Sequence, residues 1–258
     1  MPEPEPAAGV HCFAFAQRDP LMHLRRLLPA LLLCLPLATA AAQTPAAPAP
    51  AYRQTEPAVE NATKAVPQPF AARYRLEVSG WPSTSVEHRL TQDGGSWHSE
   101  MSAAIAVARG EERSRFLIKD QGVRSLQYIS GYSLLGLGGD YRLAPDDLAV
   151  LPDRQAALFE LSRRVIDGTC QESCDIRYQN HRGREERMAY QVLGPESLSL
   201  PAGEFEAVAV EVTEPDKPER HLVFHFHPEV PGLMLAVEYH RDGERRSRLS
   251  LTRLSLGE

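Results

Sequence analysis

Three histidines, His221, His225 and His227, form the sharpest cluster of potential ligands in this chain. On an extended strand they share one face, with Leu222, Phe224 and Phe226 on the other. Two imidazoles at i and i+2 could converge on one metal ion. If a hairpin to residues 233–240 pairs apolar face to apolar face, Glu238 and His240 join the histidines. An H-x-H metal site of the usual β-sheet kind wants a glutamate several residues later, where Pro231 and Gly232 stand. The reading adopted is therefore a hydrated outer face without metal, with a pH-responsive histidine patch as the alternative.

Cys170 and Cys174 are separated by three residues. As an even pair in an oxidising compartment they predict a structural disulfide. A redox-active pair uses C-x-x-C, one residue shorter. The other candidate motifs fail on a single position each. Gly131-Tyr132-Ser133 begins like a nucleophile elbow, but Leu135 replaces its second glycine. Gly136, Gly138 and Gly139 fit neither a dinucleotide nor a phosphate loop. Gly95-Ser96-Trp97 copies the lipocalin G-x-W in the wrong strand. No catalytic residue and no cofactor is expected.

Net charge is -6 over 258 residues, with pI near 5.9, which argues against nucleic acid as a partner. Of the 21 prolines, 12 lie at or before Pro69, so the front quarter differs from the rest. Arg25 and Arg26, the apolar run Leu27 to Leu37 and the small residues Ala38 to Ala42 read as a secretion signal over 22–42. The run is too short to span a membrane. Residues 1–21 then read as an extension ahead of the true start at Met22. Residues 43–69, rich in Pro and Ala, read as a linker. The expected location is the periplasm. The sequon at Asn61 is discounted in a signal of bacterial type.

From Phe70 the period becomes two. Phe70, Tyr74, Leu76 and Val78 alternate with Arg73, Arg75 and Glu77. Val86, His88 and Leu90 share a second strand face, and Trp97, Met101, Ile105 and Val107 a long third one. Phe116 with Ile118 and Leu126 with Tyr128 continue the meander. Ser130 to Leu143 is apolar with four glycines, readable as a bent strand, a bulge or a flap. Leu158, Phe159, Ser162 and Val165 predict a helix at about 153–166. Further strands follow at 174–180, 185–193 and around Val210, Phe224, Val237 and Leu249. About ten strands with one helix predict a mainly β domain over 70–258. Its architecture is a single curved antiparallel sheet, an open or closed β-barrel.

The segments PFAARYRLEVSG (69–80), SLPAGEFEAVAVEV (199–212) and FHFHPEVPGLMLAVEYHRDGE (224–244), in this order behind an export signal, resemble the domain-of-unknown-function 3108 family of periplasmic proteins. The resemblance covers about 70–258. It implies an open barrel similar to carriers of outer-membrane lipoproteins, and no catalytic residues. Many relatives carry a tryptophan where this chain has Phe224 to His227. The expected function is binding or carriage of a lipid or lipoprotein on the concave sheet. The alternative is a protein-interaction module of the envelope, and a metal-dependent enzyme ranks last.

Overall fold

A computed structural model describes residues 65–105, 107–120, 122–170 and 172–257. The readings made for residues 1–64 fall outside the described part.

Twelve strands form one antiparallel sheet, two more than the sequence count suggests. They are β1 (Phe70–Val78), β2 (Thr84–Asp93), β3 (Ser96–Ile105), β4 (Ala108–Lys119), β5 (Gly122–Leu134), β6 (Leu137–Leu143), β7 (Cys174–Gln179), β8 (Glu185–Leu200), β9 (Gly203–Glu214), β10 (Lys217–Phe226), β11 (Met234–Arg241) and β12 (Glu244–Leu256). One helix, α1 (Arg154–Ile166), separates β6 from β7. The spatial order is β6-β5-β4-β3-β2-β1-β12-β11-β10-β9-β8-β7. The first and last strands are thus neighbours at the middle of the sheet. β6 and β7 are unpaired edges, so the sheet is open and the closed-barrel alternative is excluded.

Most strands alternate buried and exposed positions, with the buried faces toward the helix, whereas Met234–Val237 of β11 are buried on both faces. Phe70, Tyr74 and Leu76 of β1 are buried, as are Val86 and Leu90 of β2 and Phe116 of β4. Two sequence readings need correction. Val107 does not continue β3, because a turn intervenes between Ile105 and Ala108. The glycine-rich stretch is the end of β5, a turn at Leu135-Gly136 and all of β6. Four glycines there serve a hairpin, not a flap. Gly138 shows why: a Cβ at that position would stand 1.8 Å from the Tyr132 carbonyl oxygen.

The expected strand through Leu126 and Tyr128 is present as β5, with a β-bulge in its pairing to β4. Arg115 pairs with Gln127 while Phe116 pairs with Ser125, leaving Leu126 as the extra residue. Leu126 and Tyr128 therefore do not share an inward face. Ser125 and Tyr128 do, both buried. Bulges re-aim a side chain at the cost of one unpaired residue, and here the re-aimed one is a serine hydroxyl.

α1 begins one residue after its expected start, with Asp153 as N-cap. It lies in the concavity, where Phe159 packs on Phe116 at 5.0 Å and on Trp97 at 6.4 Å between ring centroids. A helix so enclosed is buried on most of its circumference, polar residues included: Arg154, Gln155, Glu160 and Ser162 are all buried. Ser162 binds it to the sheet's last third, its hydroxyl accepting from the Gly232 amide at 2.6 Å. Gly232 has φ +87°, and a Cβ there would meet Phe159 Cδ2 at 2.7 Å. Gly232→Ala should therefore lower stability by about 2–4 kcal/mol, from strain plus overpacking. The midpoint of urea unfolding measures it, and an unchanged midpoint would refute the tight approach.

Candidate functional site: the concave face and its helix

The residues that fix α1 are polar, and nearly all come from alternating positions of adjacent strands. Asp153 is fully buried. Its Oδ1 accepts from the amides of Gln155 and Ala156, and its Oδ2 from the hydroxyls of Ser114 (2.7 Å) and Ser125 (2.6 Å). Ser125 Oγ in turn accepts from the Asp153 amide. The cap is thus also a clamp between β4 and β5, and it explains the bulge. Burial pushes the Asp153 carboxyl above the usual carboxylate range, against the pull of its four donors.

Next along the helix, Arg154 forms an ion pair with Glu112 of β4, both buried. Arg154 Nε donates to Glu112 Oε2 at 2.9 Å, and Gln155 Nε2 donates to the same oxygen at 2.9 Å. Gln155 Oε1 accepts from Ser99 Oγ (3.2 Å), which leaves the Ser99 oxygen to accept from His88 Nε2 (3.1 Å). This proton order defines His88 as the neutral Nε2–H tautomer. Burial agrees, lowering its pKa to about 4, and Phe70 packs edge-on against the ring at 5.0 Å.

A histidine beside a serine invites a catalytic reading, and the hydrogen bonds oppose it. Ser99 gives its proton to Gln155, not to His88, so the hydroxyl is not activated. His88 Nδ1 has no partner to orient it, and Ser99 is only 3% exposed. Ser114 and Ser125 both donate to one carboxylate. The network holds a helix.

Beside the helix lies a cavity of about 40 Å³. Arg154, Gln155 and Leu158 of the helix line one side, and Leu222, Phe224 and Val237 the other. At roughly 10–15 Å³ per water it has room for a few waters. Ligand pockets run to about 300–1,000 Å³. A second, open cleft of about 380 Å³ lies where Glu160, Arg163, Arg164 and Tyr190 meet Cys174. Its cations are already engaged, since Arg163 and Arg164 both donate to Glu160, at 3.2 and 3.0 Å.

The histidines expected to act together are dispersed. His221 and His225 lie on one face of β10, and Glu238 and His240 do join that face through the β10–β11 pairing. His221 stacks on His240 with ring centroids 4.8 Å apart. Glu238 is held by His240 (3.1 Å) and Arg245 (2.9 Å). His225 turns away to Glu196 of β8. A register shift follows His225, so β10 ends at Phe226. His227 stands beyond it, where Nδ1 accepts from the Glu229 amide. Among the described residues no three His, Cys, Asp or Glu side chains are grouped to hold a metal ion. Cys170 and Cys174 are joined as a disulfide, with Cα atoms 6.0 Å apart. It closes the loop from α1 into β7.

The residues that sequence reading missed are Asp153, Arg154, Gln155, Glu112 and Ser125. One signal was available: Asp153 stands immediately before the helical period, as an N-cap does.

No protein-family model matches the chain, and no curated protein matches it. Among solved structures, the chain is similar to MucB of Pseudomonas aeruginosa in a complex with MucA, at 15% identity and a TM-score of 0.37, over 74% of this chain and 52% of that one. It is also similar to a candidate lipoprotein from Parabacteroides distasonis (12% identity, TM-score 0.34, 73% of this chain and 97% of that one). A candidate exported protein of YmcC-like fold from Bacteroides fragilis gives 10% identity and a TM-score of 0.33, over 74% and 99%. The chain spans about half the length of the MucB structures it matches.

Two measurements test the network. Glu112→Gln leaves Arg154 as a buried charge without its counter-ion, so stability should fall by about 3–5 kcal/mol in urea unfolding. The second is pH dependence. His88 has a folded pKa of about 4, below the ordinary 6.5. Its contribution is thus complete above pH 6.5 and is lost as pH falls towards 4, because the unfolded chain takes up the proton first. The loss amounts to about 3 kcal/mol. Asp153 shifts the opposite way, so the comparison of wild type with His88→Gln isolates the histidine. The slope of stability between pH 6.5 and 4 should flatten in the variant.

Proposed function

We propose that this protein is an exported, non-enzymatic interaction module of the bacterial cell envelope, which binds through its outer surface. The observation that carries this reading is the filled concavity. α1 occupies the face on which a lipid or lipoprotein chain would lie, and the cavity between it and β10–β12 is about 40 Å³. Moving the helix out would expose Asp153 and break the Arg154–Glu112 pair, at a cost of several kcal/mol. The polar groups there hold one another and leave no activated nucleophile, which favours a binding role over an enzymatic one.

The location belongs to the same proposal. It rests on the secretion signal read at 22–42, the single short-loop disulfide and the resemblance to the domain-of-unknown-function 3108 family. No helix among the described residues is long and apolar enough to cross a membrane. The proline-rich linker read at 43–69 would give the domain reach towards partners.

Native mass spectrometry of the protein purified from its own periplasm separates the module from a carrier. The expected spectrum shows the polypeptide without stoichiometric lipid. A lipid adduct that survives desalting and disappears on extraction would overturn the proposal and restore the carrier.

A further inference from the structure

The strand order brings three hairpin turns side by side at one end of the sheet: β1–β2, β3–β4 and β5–β6. Each lies in a stretch without a charged residue, 78–86, 101–108 and 125–139. Each displays large apolar side chains to solvent. Trp81 is 41% exposed, Leu135 74% and Leu137 71%, with Ile105 and Val107 between them. The turns are tied together, Thr84 Oγ1 donating to the Ala104 carbonyl (3.1 Å) and the Leu135 amide to the Val107 carbonyl (2.6 Å). At about 4.8 Å per strand, the row is roughly 20 Å wide. At the opposite end of the same strands the turns carry Asp93, Gly94 and Gly95, and Lys119 and Asp120. The remaining turns at the apolar end are charged as well, with Glu214, Asp216 and Lys217, and with Arg241, Asp242 and Glu244.

Local structure does not ask for these side chains. Leu135 has φ 53°, a left-handed position that favours Gly or Asn and strains an ordinary residue. A leucine held there and left in solvent is disfavoured twice over. Both costs are recovered if the tip enters an apolar phase.

We propose that these three tips seat the domain on a phospholipid bilayer surface, dipping Trp81, Ile105, Val107, Leu135 and Leu137 among the headgroups and upper acyl chains. Three features favour a bilayer over a protein partner. The tips protrude, and the turns at Trp81 and Leu135 spend their own amides on turn hydrogen bonds. The β1–β2 and β3–β4 tips offer no free edge for an added strand, the open edge of the row being β6, and a fluid apolar phase requires none. A tryptophan at one tip, and Tyr132 and Tyr141 stacked on each other at 6.3 Å behind the Leu135 turn, match the aromatic composition of membrane interfaces. Arg109, at the base of the β3–β4 tip, is exposed and makes no ion pair among the described residues, as a partner for lipid phosphate would, while the exposed acidic Glu77 flanks the β1–β2 tip. Glu111 and Asp140 lie one row further back, and Glu111 is engaged by Arg113 at 3.6 Å. The inference goes beyond the interaction-module reading and can fail independently of it. Copurified lipid sinks that reading, whereas lack of bilayer binding sinks this one.

The chain has two tryptophans, Trp81 at the tip and Trp97 in the core. In a Trp97→Phe background, Trp81 reports alone. The full chain is purified as its host exports it, its mass showing which N-terminus is present. It is then mixed with vesicles of equal parts phosphatidylethanolamine and phosphatidylglycerol. The expected result is a blue shift of Trp81 emission together with co-sedimentation. The pair Leu135→Asn and Leu137→Ser should weaken co-sedimentation about tenfold or more. Asn suits the left-handed turn, so circular dichroism and thermal unfolding should show a fold at least as stable. No shift and no sedimentation would overturn the proposal. So would undiminished binding by the variant, or loss of a defined protein partner in the variant with vesicles bound by neither form.

Discussion

The buried carboxylate of Asp153 is the point on which the rest of this structure depends. It caps α1, receives hydroxyls from two strands of the sheet, and sits where water cannot replace any of its donors. A capping interaction on a surface helix is worth about 1 kcal/mol. Here the same group also joins β4 to β5, so its loss would release the helix and the bulge together. Arg154 and Glu112 extend the same constraint. A buried ion pair adds little net stability over apolar packing, but breaking it by removing one member is costly. Such a pair therefore fixes where the helix lies more than how stable the domain is.

That constraint decides what the sheet can be used for. A curved antiparallel sheet with a bare concave face would be a container. With a helix clamped into it, the concave face becomes a core, and Phe159, Trp97 and Phe116 pack as core residues do. Recognition is then displaced to the exterior. The exterior is not uniform, since five of its large exposed apolar residues lie on three adjacent turns while the other turns at that end of the sheet are charged. Chain topology produces this gathering, because six consecutive strands in simple meander order put alternate turns at one end.

Much of the fold was legible beforehand. The alternation in β1 and β2, the helix at 153–166 and the hairpin that sets Glu238 and His240 beside the histidines all follow from period and turn chemistry, which are local. The errors were also physical. The strand through Leu126 and Tyr128 was read as regular, whereas the bulge in it sets Ser125 toward Asp153, a distant carboxylate that leaves no local trace. Val107 continues an apolar alternation that a turn interrupts, since an exposed apolar turn looks like strand to a pattern reader. The three histidines were placed on one strand face, but β10 ends at Phe226 and leaves His227 beyond it.

The sequence by itself determined the class of fold, the helix, and the pairing of Cys170 with Cys174, because each rests on residues near one another in the chain. Only the tertiary structure decided that the sheet stays open and that the helix fills it. It alone decided that Asp153, Arg154 and Gln155 meet Ser114, Ser125, Glu112 and Ser99 across some 28 to 56 residues of chain. Those partners are ordinary serines and a glutamate on strands, indistinguishable in sequence from solvated ones. Burial, which is a property of the assembled sheet, is what turns them into a network.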